Sequence, residues 1–403
     1  MKNKWIVSII SIACMLGFAA CGDSASSSGT EEEGDVSFAV ETTVLEDGPD
    51  MLNYGHLNLN IAADSLLASF EYGDVVTVVL DGYETLEAPV VRNYDDVSPG
   101  EFLLRVSQGK PYVTLSINYG QIAVAYGIAE SAGDSASTSY RLADVRLPIK
   151  VKISMKEKGG FLENLEMLKF QNEGKSIGEY PGLSVEEFAN FRAVSTTGMG
   201  KDVLFRSSSP IDPALGRNAY ADSLARAAGV SVFINLTDTE TGAKAYEGFD
   251  ESYYASQSVV YLSLPAAFTA TRFKEGLVEG LRFMIEHEGP YLVHCQMGKD
   301  RAGFVSAVLE ALMGAKASEI RADYVKTYTN YYNVVDGKQT DLTGEQQDWF
   351  KAVIEKNMQM AYGEVGVDIG DFDKADLVSA TERYLEKLGL SKNEIADLKS
   401  RLK

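Results

Sequence analysis

Three cysteines in 403 residues, Cys14, Cys21 and Cys295, leave almost nothing with which to build a disulfide framework. Histidine is equally scarce, with three in the chain, and none has a second histidine or cysteine at ligand spacing, so no metal motif is present. Positive charge is in deficit: 37 Lys and Arg stand against 58 Asp and Glu, a formal net charge of −21. A broad basic face for nucleic acid is thereby excluded. Any anionic substrate must be held by a local cluster of cations and N–H donors, against the global field. Long apolar runs are missing too, apart from one near the start, Trp5 to Ala20, which is short for a membrane span.

That run follows Lys2 and Lys4 and ends in small residues before Cys21, the layout of an export signal. Its ending, "GFAAC", resembles a bacterial lipoprotein signal. The resemblance implies a signal over 1–21, lipid on Cys21, and a body that is anchored to the outer face of the cell membrane or secreted. Cys295 is then the only thiol of the folded body. Residues 22–35, "GDSASSSGTEEEGD", are small, polar and acidic, and read as a flexible tether.

From 36 to 155 the signals are β. Runs such as "DVVTVVL" (74–80), "FLLRVS" (102–107), "YVTLSIN" (112–118) and "QIAVAYGI" (121–128) alternate with turns at Asp81-Gly82, Ser98-Pro99-Gly100 and Gly109-Lys110-Pro111. Short strands at this spacing predict a small all-β barrel or sandwich, preceding the main domain as an accessory with no constellation of catalytic groups and an unknown partner. From 156 to 403 the texture is α/β. "VLFR" (203–206), "GVSVFINL" (229–236), "QSVVYLSL" (257–264) and "PYLVH" (290–294) read as buried strands separated by helix-length segments. The expectation is a central, mostly parallel sheet flanked by helices. After residue 302 the pattern is wholly helical, with capping-box spacing at Ser184/Glu187, Thr343/Gln346 and Ser391/Glu394 across the domain.

"YLVHCQMGKDRAGF" (291–304) carries the chemistry. A buried strand ends at His294, a glycine-containing loop follows, and a helix begins near Ala302. Gly298 permits a tight turn that aims several backbone N–H groups at one spot, and the helix adds its own unpaired donors. Such a cup suits phosphate, and Arg301 offers a fork of donors matched to two of its oxygens. The same field favours thiolate over thiol at Cys295, placing a nucleophile beneath a bound phosphorus atom.

"HCQMGKDRAG" resembles the Cys-x5-Arg signature of protein tyrosine phosphatases, and its Gly-Lys-Asp-Arg form is similar to the atypical secreted bacterial tyrosine or dual-specificity group. "FANFRAV" (188–194), "VLFRSSSPI" (203–211) and "IRADYVKTYTNYY" (320–332) extend the likeness over about 180 to 335. The resemblance implies a phosphocysteine mechanism without cofactor or metal. Cys295 is then the nucleophile and Arg301 the phosphate clamp. Gln296, Met297, Gly298, Lys299, Asp300 and Arg301 form the phosphate cradle, and His294 orders the loop by hydrogen bonding. The region where better-known relatives keep the general acid, "LSLPAAFTA" (262–270), contains no acid. The likeness to the secreted group moves that role to Asp300, with Asp238 as the alternative; an ion pair with Arg301 or Lys299 is the plain structural role open to Asp300.

Two departures mark the chain. Ala302 stands where the family has Ser or Thr, which predicts slow breakdown of the phosphoenzyme, and Asn235-Leu236-Thr237 replaces Asp-Leu-Arg. Lys299 matches a lysine of the superfamily's lipid phosphatases. The substrate expectation is therefore phosphotyrosine, with a phosphoinositide or inositol phosphate as the alternative. Two other readings stay open, a weakly active phosphate-binding module and sulfur transfer of the rhodanese kind.

Overall fold

The computed structural model describes residues 39–132, 140–169, 176–332, 334–335 and 338–403. The signal over 1–21, Cys21 and the tether over 22–35 lie outside the described residues. From Phe38 to Lys403 the chain is one compact unit.

Its first part comprises β1 (Ala39–Thr43), α1 (Pro49–Tyr54), β2 (Leu57–Leu59), α2 (Ala63–Leu67), β3 (Val75–Leu80), β4 (Leu86–Val91), β5 (Phe102–Arg105), β6 (Val113–Ile117), α3 (Ile122–Ala125), β7 (Ala129–Ser131), β8 (Tyr140–Leu142) and β9 (Lys150–Glu157). Seven strands pair in the order β1-β9-β3-β4-β5-β6-β2, antiparallel except for β4 and β5. A bridge from Val44 to Leu59 joins the ends of that order, so the sheet closes into a barrel. Alternation does the sorting: in β3, Val76, Val78 and Leu80 are buried inside while Val75, Thr77 and Val79 face outward. The barrel is not purely β. "QIAVAYGI", read from sequence as a strand, forms α3, because Ile122 and Ala123 are apolar to seal the barrel core and not to alternate across a sheet.

The second part runs through α4 (Leu162–Met167), α5 (Val185–Phe188), β10 (Arg192–Ala193), β11 (Leu204–Ser207), α6 (Asn218–Ala227), β12 (Val232–Asn235), α7 (Glu240–Lys244), β13 (Ser258–Tyr261), α8 (Thr271–Glu286), β14 (Tyr291–His294), α9 (Asp300–Met313), α10 (Ala317–Tyr331), β15 (Val334–Val335), β16 (Lys338–Gln339), α11 (Gly344–Glu364), α12 (Leu377–Leu388) and α13 (Lys392–Arg401). The sheet order is β10-β11-β14-β12-β13, parallel throughout except for β10. Phe273, Leu277, Leu281 and Met284 of α8 are buried against it, as their spacing requires. The capping boxes form at α5, α11 and α13. The short antiparallel pair β15–β16 interrupts what the sequence presents as helix alone. No helix among the described residues is long and apolar enough to cross a membrane.

β14 lies in the middle of the parallel sheet, buried along its length. The loop carrying Cys295 therefore leaves the carboxyl end of a central strand, where open α/β sheets form their crevices.

Candidate active site

The loop is shaped from behind. Gly298 has φ 70°, and a Cβ there would lie 2.2 Å from the Ser207 carbonyl oxygen, so only glycine fits. Four successive carbonyls are held outward. Gln296 O accepts from the Ser209 N–H (2.9 Å) and Met297 O from Asn190 Nδ2 (3.1 Å). Gly298 O accepts from Arg206 Nη2 (2.7 Å), which also reaches Lys299 O at 3.2 Å. With the carbonyls turned out, the N–H groups of Gln296 to Arg301 find no acceptor among the described residues. They lie at and just before the amino end of α9, where unpaired backbone donors favour an anion.

The braces belong to a buried charge cluster. Arg206 of β11 and Arg192 of β10 both bind Asp323 of α10, the latter at 2.6 Å. Burial alone would raise the Asp323 pKa, but the charges of Arg192 and Arg206 hold it down at about 2. Asn190, in the left-handed region at φ 51°, accepts from Arg192 (2.7 Å) and Asn330 (3.0 Å) while donating to the loop.

Cys295 is a free thiol at 3% exposure, packed among apolar core residues at the base of the loop. Arg301 donates from Nη1 to the Leu264 carbonyl at 3.0 Å and lines an open cleft of about 520 Å³. Asp300 lines the same cleft; Cys295 does not. Much of the opposite wall comes from the barrel, including Tyr54, His56, Tyr94, Arg105 and Tyr119.

Two barrel residues grip the loop directly. Tyr119 donates its hydroxyl to Asp300 Oδ1 at 2.6 Å, with its ring stacked on Phe268 and its backbone at φ 56°. Burial first, then the charge of Asp300, drives the Tyr119 pKa well above its ordinary value, so the hydroxyl stays a donor. Asp95 binds Lys299 at 3.1 Å. Its carboxyl is held below its usual range chiefly by that lysine, a pull partly screened because the side chain is 52% exposed. Lys299 is itself buried, 3.8 Å from Asp300 and over the rings of Tyr328 and Tyr332. Burial works against its charge, yet Asp300, Tyr332 and Asp95 push its pKa well above the ordinary value. It lines a second cleft with Met297, away from Arg301.

Asp238 lies elsewhere. Its carboxylate accepts from Asn235 (3.0 Å) and Tyr246 (3.0 Å) in a buried network that continues through Tyr254 to His294 Nε2 (3.1 Å). His294 is thus tied through Nε2 to the sheet layer directly behind the loop. Burial, helped by the charge of Arg301, lowers its pKa to about 3 and keeps it neutral. Among the described residues no group of three His, Cys, Asp or Glu side chains could hold a metal.

Sequence reasoning missed the barrel's part in the cleft. The braces were partly visible, since Asn190, Arg206 and Asp323 all fall in segments that carried the family likeness. Asp95 and Tyr119 had no such signal.

The model of the tyrosine phosphatase family matches residues 190–403, more than half of the chain. A solved structure of an uncharacterized conserved protein from Thermotoga maritima shares 22% identity at a TM-score of 0.20, covering 28% of this chain; the chain spans 35% of that protein's length. The core catalytic domain of the PP-IP phosphatase SIW14 from S. cerevisiae, solved with citrate, shares 15% identity at a TM-score of 0.25, over 44% of this chain and 96% of that one. No curated protein matches. On the family match over 190–403, the chain belongs to the tyrosine phosphatase family.

Proposed function

We propose that the protein is a Cys-dependent phosphomonoesterase acting on phosphotyrosine. The observation that carries this reading is the loop that follows Cys295 at the end of β14, with its carbonyls held outward, its N–H donors unpaired among the described residues, and Asp300 and Arg301 lining one cleft. A phosphoryl group entering the cup draws Arg301 off the Leu264 carbonyl and onto two of its own oxygens. Rearrangement of this kind is usual between free and occupied sites. The Cys295 thiolate attacks phosphorus in line, the P–O bond to the aryl group breaks, and Asp300 gives its proton to the leaving oxygen. Water then attacks phosphocysteine, with the Asp300 carboxylate taking its proton, and inorganic phosphate leaves.

Asp300 is preferred to Asp238 as the acid because it shares the cleft with Arg301, while Asp238 is engaged behind His294. A second reading keeps the chemistry and makes an inositol phosphate or phosphoinositide the substrate. One observation favours it: the cleft of Arg301 holds a second guanidinium, Arg105.

The test is turnover of a phosphotyrosine peptide and of para-nitrophenyl phosphate in the presence of a chelator. We expect activity that Cys295→Ser abolishes and Arg301→Ala lowers by a factor of about 10³ or more. Activity that survives Cys295→Ser would overturn the reading. We further propose that the chain is exported and lipid-anchored through Cys21. Labelled fatty acid should enter the protein and be lost in Cys21→Ala; incorporation into neither form refutes the anchor.

A further inference from the structure

The cleft that Arg301 lines contains a second cation. Arg105, the last residue of β5, faces it with its guanidinium 4.8 Å from the centre of the Tyr94 ring. Its Nε donates to the Arg92 carbonyl at 3.2 Å, which fixes the side chain's direction. Neither Arg105 nor Arg301 forms an ion pair among the described residues. This is notable in a chain of net charge −21, where carboxylates outnumber cations.

The nearby carboxylates are already engaged. Asp95 is bound to Lys299 at 3.1 Å, and Asp300 accepts from Tyr119 at 2.6 Å. Asp50 accepts from Thr114 (2.7 Å) and Asn58 (3.0 Å). The other candidate cations do not serve the cleft. Lys299 is neutralised and faces elsewhere, and burial lowers the His56 pKa to about 4, leaving that ring uncharged near neutrality. Two guanidiniums with no carboxylate partner of their own, in one cleft of about 520 Å³ whose Asp95 and Asp300 are held by Lys299 and Tyr119, make a site for two anionic groups on one small scaffold.

The geometry points to the barrel as the substrate-selecting half of the site. Arg105 is a second anion subsite, so the preferred substrate is a phosphomonoester bearing another anionic group. This rests on the phosphatase reading for the role of Arg301, but concerns binding and can be tested without turnover. Full-length Cys295→Ser protein is titrated calorimetrically with phenyl phosphate, an inositol bisphosphate, and a phosphotyrosine peptide with glutamate beside the phosphotyrosine. The titrations are repeated with Arg105→Ala and Arg105→Lys added. Losing charge-assisted hydrogen bonds should weaken the doubly anionic probe about 10- to 100-fold. Phenyl phosphate should weaken by a clearly smaller factor, and Arg105→Lys should recover part of the loss, which separates charge from folding. Whichever doubly anionic probe shows the selective loss names the source of the second anion. Equal weakening of all three probes, or of none, overturns the subsite. Should the subsite behave as expected while the wild type hydrolyses no phosphomonoester, the phosphatase reading falls and the subsite stands.

Discussion

Tyr119 is held in a strained backbone conformation and binds the loop from the barrel side. A tyrosine at φ 56° forgoes about 1 kcal/mol relative to an ordinary backbone, a strain that the surrounding packing must hold. Stacking on Phe268 and the 2.6 Å bond to Asp300 are what hold it. The hydroxyl donates to Asp300 Oδ1 and so fixes where that carboxyl points. Tyr119→Phe removes the donor while keeping the ring. We expect kcat for phenyl phosphate to fall about tenfold, as Asp300 loses its orientation, and kcat for an ester of a much more acidic phenol, which needs no proton donor, to change little. A purely structural role would lower both rates alike. Ala302 is the second residue of interest, fully buried in the first turn of α9. Without a hydroxyl there to help sulfur leave phosphorus, the phosphoenzyme should accumulate. Rapid mixing with para-nitrophenyl phosphate should give a burst of nitrophenol near one equivalent, and Ala302→Ser should raise the following steady rate several-fold. A wild-type trace with no burst refutes slow breakdown.

Among the elements, the first turn of α9 and the loop before it are held by β10, β11 and α10 together, through Arg192, Arg206 and Asp323. Asp323→Asn would leave two buried guanidiniums without their carboxylate; Glu310, pushed well above its ordinary value first by burial, makes no ion pair with either. Removing one partner of such a cluster costs about 3–5 kcal/mol. Because the Asp323 pKa is depressed to about 2, its contribution is complete above the unfolded value near 4 and is lost as pH falls toward 2. Denaturant titrations should show Asp323→Asn less stable at neutral pH and flatter in that acid window. The sequence displays such elements unevenly. Strands β11, β12 and β14 were legible because burial on both faces demands continuous apolar runs, and the strand–loop–helix order around Cys295 was legible because its parts are contiguous. The short helix α3 was not, since four apolar residues carry no period. Nor was the contact of Tyr119 with Asp300, 181 residues apart, because a tyrosine in a turn has no local mark.

At the scale of the molecule, the barrel and the α/β part meet at the loop through Asp95–Lys299 and Tyr119–Asp300, within one compact unit. Each part carries one histidine with a depressed pKa. Burial lowers His56 in the barrel to about 4 and His294 under the loop to about 3. The unfolded chain protonates both near 6.5, while the folded chain resists. Stability is therefore full above about 6.5 and is lost as pH falls toward 4 for His56 and 3 for His294. By pH 5 His294 should forfeit about 2 kcal/mol, and His56, which keeps some solvent contact, less. This window opens above the one where Asp323 acts, so the two are separable. Thermal unfolding followed from pH 7 to pH 4 should show one transition falling steadily, and His56→Gln and His294→Gln should each flatten that same slope. If His56→Gln instead flattened an early transition that His294→Gln left alone, the barrel would be melting by itself. The grip of Tyr119 and Asp95 on the loop would then be too weak to join the two halves.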